Sequence, residues 1–205
     1  MASYGGYELF LTSPNWIAPK SQSYSHPYEL MQSLGLGTKY SNYDVTLPFL
    51  KGEWLGKTKS ETWDIVDFFD SKMGRFLPFW VPSWDTDIVI TSSFVAGDSQ
   101  LTIEDIEYST FWLPNDLTGR FIIIQWPDES YVCKKIIGAP TSTTIVLDET
   151  IGKDADSSMV NNLLTSFLFF VRFDQDELEA KYVTRDVAIM ALSFKSVPSN
   201  CDLIS

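Results

Sequence analysis

The sequence predicts a mainly β protein with one α-helix, in which a small β-barrel interrupts a larger β domain. Three observations carry that prediction. Short runs alternate apolar with polar residues, one stretch of helical period stands apart over residues 58–74, and closely spaced turn signals change the texture between residues 91 and 157. The chain has 205 residues, of which 44% are hydrophobic and 20% charged, enough apolar material for one or two folded cores.

Residues 1–43 are rich in Tyr, Ser, Gly and Pro and read as an arm, with one strand at residues 7–11, suited to being ordered across a neighbouring subunit. In residues 44–50, Val45, Leu47 and Phe49 alternate with Asp44, Thr46 and Pro48, the pattern of a half-buried strand whose proline marks a sheet edge. Trp63, Val66, Phe69 and Met73 then recur at helical spacing and are expected to face the sheet, with Glu61, Asp64, Asp67 and Asp70 on the remaining faces. Thr58 and Glu61 have capping-box spacing, Gly74 suits a left-handed C-cap, and Lys72 and Arg75 complement the negative helix end. Residues 76–84 are extended, because Pro78 and Pro82 disfavour a helix, and their aromatic rings need a surface to lie on. Residues 87–91 read as a short β-branched strand leading into a turn around Gly97.

Strands are next expected at residues 100–104, 120–126, 131–136 and 143–147, and closing them into a barrel removes unpaired edges in a unit this small. Residues 167–173, 177–183 and 187–197 follow as three strands, with 174–177 as a hairpin tip. They need a partner sheet. The economical partner is the strand at 44–50 with its helix, so that residues 44–90 and 158–205 form one discontinuous domain around an inserted barrel at 91–157.

The chemistry-bearing inventory is thin. Fifteen Lys and Arg against 27 Asp and Glu give a net charge of −12, which repels phosphate and argues against nucleic-acid binding. The one histidine, His26, removes most histidine metal sites and general bases, and Cys133 and Cys201 lack CxxC spacing, so no metal or cofactor is expected. Apolar runs are too short to span a bilayer and no secretory leader is evident, so a soluble product made in a cytoplasm is expected. Residues 52–58 nearly spell a phosphate loop, but they have the wrong glycine spacing, and Lys51 stands where glycine is required; they read as a turn into the capped helix.

Asp85 with Asp87, or Asp174 with Asp176, offers the two carboxylates of a glycosidase, although such acids in turns more often cap backbone amides. Asp154 and Asp156 begin like a calcium loop, but Met159 and Thr165 replace its glycine and glutamate. No GxSxG elbow occurs, and Gly35-Leu36-Gly37 lacks the third glycine of a dinucleotide fingerprint. Phe79, Trp80 and Trp84 are the material of a sugar-stacking platform, of a core or of an interface; with few convergent polar groups nearby, packing or interface is favoured.

The run from Trp63 to Asp85, including Ser71-Lys-Met-Gly-Arg-Phe-Leu-Pro-Phe-Trp80, resembles tail proteins of long-tailed bacteriophages, in which a helix ends in a glycine-arginine pair before an aromatic strand. The matching positions are Gly74, Arg75, Phe79, Trp80, Trp84 and Asp85. Phe173-Asp-Gln-Asp-Glu-Leu-Glu-Ala-Lys-Tyr182 with residues 188–197 resembles the closing hairpin of the same ring-forming domain, and Ala96-Gly-Asp-Ser-Gln-Leu-Thr-Ile103 is similar to the opening of barrels inserted in such proteins. Residues 1–43 carry no such match.

The family most resembled is the distal tail protein. That resemblance implies a split β-sandwich with a helix, forming a ring, usually a hexamer, that joins the tail tube to the tail tip or baseplate hub, and an inserted barrel resembling an oligonucleotide-binding fold. It implies a structural virion protein rather than an enzyme. Its partners would be its own copies, the tail tube and the tip or hub proteins, with DNA passing an acidic bore without specific binding and no membrane insertion. Trp63, Phe69, Phe79, Trp80 and Trp84 then become packing or subunit-interface residues, the last three near or across a subunit boundary. The barrel segment has few basic residues (Arg120, Lys134, Lys135 and Lys153), which favours a protein or cell-surface sugar contact over nucleic acid. The competing reading is a carbohydrate-binding module or glycosidase that uses a Trp80 and Trp84 platform with Asp85 and Asp87.

Overall fold

The structure, a computed structural model, describes residues 2–25, 28–33, 36–41, 47–113 and 119–197. In chain order its strands are β1 (Ser3–Tyr4), β2 (Tyr7–Glu8), β3 (Ser21–Ser25), β4 (Tyr28–Ser33), β5 (Leu36–Ser41) and β6 (Leu47–Gly56), followed by helix α1 (Lys59–Ser71) and β7 (Phe79–Pro82). Then come β8 (Gln100–Thr102), the short helix α2 (Tyr108–Phe111), β9 (Phe121–Gln125), β10 (Tyr131–Thr141), β11 (Thr144–Leu147), β12 (Leu164–Phe173), β13 (Ala180–Tyr182) and β14 (Ala188–Ser196). The protein is mainly β. It divides into two compact units, Met1–Leu11 with Trp80–Phe169, and Thr12–Phe79 with Phe170–Ser205.

In the second unit β6 is a central strand. It pairs antiparallel with β14 from Ala188↔Gly56 to Lys195↔Phe49, and with β3 from Ser21↔Lys51 to Ser25↔Leu47. The edge expected from Pro48 is therefore corrected: Pro48 lies beyond the end of the β14 ladder, where an absent N–H costs no bond on that side. The expected strand residues 44–46 lie outside the described residues. The strand also continues to Gly56 through the passage read as a turn, because Leu50, Gly52, Trp54 and Gly56 alternate onto the buried face. Both glycines make room. A Cβ at Gly52 would lie 3.2 Å from the Trp54 ring, and one at Gly56 would lie 2.2 Å from Thr62 Oγ1 and 3.1 Å from Thr62 Cα, so Gly56 lets α1 approach the strand closely.

Helix α1 begins where expected. The Thr58 side chain accepts from the Glu61 amide (3.2 Å) and the Glu61 carboxylate accepts from the Lys57 amide (2.9 Å). It ends with Met73 and Gly74 both left-handed, φ 52° and 59°. Its buried face is Thr62, Ile65, Phe68 and Phe69; of the expected Trp63, Val66, Phe69 and Met73, only Phe69 belongs to it. Trp63 is 56% and Met73 68% exposed. Lys72 is 7% exposed, with its ammonium 5.1 Å from the Phe68 ring centroid. Phe68 and Phe69 meet Phe79, Phe173 and Phe194 in one aromatic core: Phe69 and Phe79 each lie 4.8 Å from Phe173, Phe68 lies 5.0 Å from Phe79, and Phe194 lies 5.4 Å from Phe173.

Residues 174–177 are not a hairpin tip. The end of β12 pairs β14 at Phe173↔Phe194 and β13 pairs it at Ala180↔Met190, so both run along one edge of β14 in the same direction. The intervening loop bulges out, and its Gln175 side chain donates to Ala191 O (3.1 Å) and accepts from the Ser193 hydroxyl (3.1 Å), filling the gap in the ladder. The reversal comes later, between Val183 and Val187.

In the first unit the antiparallel order is β12-β9-β10-β11-β8, with Ile122, Ile123 and Ile124 of β9 fully buried. Residues 87–91 form no regular strand; they bridge two others. The Asp87 and Ile88 amides donate to Thr165 O (3.0 and 3.3 Å), while Ile90 bridges Ile103 and the Thr91 amide donates to Thr102 O (2.9 Å). The expected arm is also corrected. The first residues form the β1–β2 hairpin, Leu9 and Phe10 are 4% and 2% exposed, and the Phe10 amide donates to Trp80 O (2.9 Å), because these apolar side chains find cover within their own chain. Helix α2 was unannounced in the sequence.

Replacing Gly56 by Ala should cost about 1–3 kcal/mol by overpacking against Thr62, and Phe173→Ala about 3–5 kcal/mol by emptying the aromatic core. Urea unfolding followed by tryptophan fluorescence checks both; a Gly56→Ala midpoint equal to the parent's would show that the strand and helix do not approach closely.

Candidate functional site

The five aromatic residues singled out from the sequence separate into two groups. Phe69, Phe79, Trp80 and Trp84 are core: Phe79 and Trp80 are fully buried, and Trp84 is 5% exposed with its ring edge-on to Phe10 at 6.3 Å. Trp80 packs 4.8 Å from Phe121 and 5.6 Å from Tyr4, and its indole N–H donates to Tyr4 O (3.1 Å). Phe79, Trp80 and Trp84 therefore have almost no surface to offer a subunit boundary or a sugar ring, which corrects both expectations. Trp63 is the exception and stands on the outer face of α1.

The candidate carboxylates serve the fold where their bonds are seen. Asp87 Oδ2 accepts from the Ser83 hydroxyl and from the Phe167 amide (2.8 Å), while Asp85 is held through its main chain, its carbonyl accepting from the Ser166 hydroxyl (2.7 Å), so these residues tie a turn to β12. Asp176 pairs with Arg75 at 2.6 Å beside the helix exit. Asp154 accepts from the Ala96 amide (2.6 Å), and Asp156 accepts first from the Ser158 hydroxyl (2.6 Å) and then from the Met159 and Ser158 amides (2.9 and 2.8 Å), which holds its carboxyl below the usual range. Among the described residues no three His, Cys, Asp or Glu side chains are placed to hold a metal ion. Burial pushes the Cys133 thiol up to about 12, so at neutral pH it is a thiol rather than a nucleophilic thiolate.

A shallow cleft in the first unit is lined by Leu11, Gln125, Trp126, Pro127, Glu129, Asn162 and Leu164. Beside it the Lys153 ammonium donates to Asp128 (2.6 Å) and to the Ser130 hydroxyl, and lies 5.0 Å from the Trp126 ring centroid. These bonds hold the turn at residues 127–130. The cleft brings together no nucleophile with a base.

The exposed faces of the second unit are more distinctive. On the sheet face opposite α1, Phe49, Lys51, Glu53 and Leu55 of β6 share register with Lys195, Ser193, Ala191 and Ile189 of β14, and Lys195 in turn faces Arg172 of β12. Lys51, Lys195 and Arg172 are exposed and have no ion-pair partner among the described residues, though the Lys51 ammonium lies 4.9 Å from the Phe49 ring centroid. The helix covers the other face of this sheet through Phe68 and Phe69. Its outward side carries Trp63, Asp64, Asp67 and Asp70, all exposed, and the three aspartates also lack ion-pair partners among the described residues. The sequence singled out Trp63 but not the cationic row. Its signal was present: Lys51, Arg172 and Lys195 each occupy an outward position of an alternating strand.

No family model matches this chain, and no curated protein matches it.

The Asp128 carboxyl is held down to about 2, first by its hydrogen bond from Lys153 and then by those from Ser130. Because its folded pKa lies below the unfolded value near 4, its stabilising effect is full above that value and is lost as pH falls through about 2. Carboxyl-detected NMR should place the Asp128 midpoint near 2 and return it toward 4 in Lys153→Met; an unchanged midpoint in the variant would show that the pair does not hold the carboxylate.

Proposed function

We propose that this chain is a structural virion protein: a ring-forming distal tail protein of a long-tailed bacteriophage, assembling from identical copies to join the tail tube to the tail tip and to let DNA pass. One observation carries the reading. Strands β6 and β14, far apart in sequence, share a ladder in one unit, while Trp80–Phe169 between them leaves to form another. This agrees with the split organisation the resemblance implies: we read the expected barrel at 91–157 as the larger part of the first unit, which also takes in residues 1–11, and the bridging bonds of residues 87–91 support that reading.

The position of the motif residues supports the same reading. Gly74 and Arg75 form the helix exit, where a Cβ on Gly74 would lie 3.2 Å from Asp176 Cα and Arg75 pairs with the same aspartate. The glycine-arginine pair thus fastens the helix to the loop between β12 and β13. Phe79 and Trp80 fill cores, so their part in a ring is to hold each subunit rigid rather than to touch the next. The net charge of −12 suits a bore that DNA traverses without being held.

Purified protein should sediment as a closed oligomer of roughly six copies and show rings with a central hole by negative-stain electron microscopy. A protein that stays monomeric up to its solubility limit and retains polysaccharide on a column would overturn the reading in favour of sugar binding.

A further inference from the structure

We propose that copies of this chain join head to tail, the acidic outer face of α1 on one copy lying on the cationic open face of the β6–β14–β12 sheet of the next. The proposal rests on the ring reading and names its contact. On the helix, Asp64, Asp67 and Asp70 follow at intervals of three residues beside the exposed Trp63. Each interval advances about 4.5 Å along the axis. On the sheet, Lys51, Lys195 and Arg172 stand one per strand on β6, β14 and β12, whose neighbours are spaced about 4.8 Å. Each interval also turns about 60° around the helix, so Asp67 stands at the middle of the outer face with Asp64 and Asp70 on its flanks; on the sheet Lys51 lies opposite Ser193, two residues along from the Lys195–Arg172 pair. A helix laid obliquely across the strands sets the aspartate row over the cations.

Trp63 gives that contact an apolar centre. The open face offers it the ring of Phe49 and the cations beside it, partners for aromatic packing and for a cation over an indole face. Tryptophan is among the residues most enriched at interface hot spots. Within one copy the two surfaces cannot meet, because α1 packs on the opposite face of the same sheet. Their union is therefore heterologous, the kind of contact that closes into a ring when its rotation allows.

The occupant is a second copy rather than DNA. The row holds three cations with Glu53 among them, in a chain of net charge −12, and so few phosphate contacts give little affinity. A neighbouring aspartate-bearing helix, by contrast, offers three exposed carboxylates to the three cations, with Trp63 beside them.

The test reverses each surface and then both. Asp64→Lys with Asp67→Lys, and separately Arg172→Glu with Lys195→Glu, should each weaken subunit association on the order of a hundredfold by sedimentation equilibrium, with unfolding midpoints near the parent's. The chain carrying all four changes keeps the net charge and should regain assembly, which neither misfolding nor a general charge effect would produce. Trp63→Ala should weaken association without lowering monomer stability. If the parent forms rings and every charge variant forms them equally well, the proposed contact is overturned while the ring stands. If the parent never assembles, both fall. If the Arg172→Glu and Lys195→Glu chain assembles normally but loses retention of duplex DNA, the row serves nucleic acid and the contact is overturned.

Discussion

The antiparallel ladder between Leu47–Gly56 and Ala188–Ser196 is the constraint on which the helix-and-sheet unit depends. It joins segments separated by most of the chain, and the entropy of closing so long a loop has to be offset by what the ladder buries. Trp54, Met190, Leu192 and Phe194 all project to the covered face, each worth about 1.5–3 kcal/mol on burial. The helix completes that face only because Gly56 lacks a Cβ where Thr62 comes against the strand. Phe173, carried in on β12, then closes the aromatic cluster with Phe68, Phe69 and Phe79.

Much of this was legible in the sequence, and the misreadings have physical causes. The strand expected at 44–50, the capped helix and the C-terminal strands declare themselves through alternation, spacing and capping residues, and their mutual need for a partner sheet follows from their apolar faces, whereas the strand's continuation to Gly56 was hidden in a passage that reads as a turn. The helix face was misread because Trp63 outweighs Ile65 in any count of apolar size. Yet Trp63 shares its side of the helix with Asp67 and Asp70. Turning that side inward would desolvate two carboxylates, at several kcal/mol each, to bury one indole worth about 3. Thr62 and Lys72 looked too polar for the buried side. Thr62 satisfies its hydroxyl on Thr58 O at 3.0 Å, and Lys72 lays its stem against Phe68.

The site was less legible than the fold. The aromatic run at residues 79–84 attracted functional readings because tryptophan serves cores and interfaces alike, and only burial tells the two apart. Asp85 and Asp87 looked like a catalytic pair because sequence spacing reports nothing about what a carboxylate accepts. In the fold Asp87 accepts the Ser83 hydroxyl and the Phe167 amide, and those bonds tie residues 83–87 to β12. The cationic row could not be found by motif at all, since its members come from three strands that only pairing brings into line.

Charge placement, more than composition, decides how copies of such a chain can meet. With a net charge of −12, two copies approaching at random repel each other, so any stable contact has to concentrate attraction locally. A symmetric contact of the helix face with itself would set aspartates against aspartates, and one of the sheet face with itself would set Lys195 and Arg172 against their equals. Both arrangements pair like charges and are disfavoured. Joining unlike faces removes the repulsion, and because those faces lie on opposite sides of one two-layer unit, every copy that accepts a neighbour still presents the complementary face to the next. In the contact proposed, directional growth would follow from that placement, and closure would then depend only on the angle between successive copies.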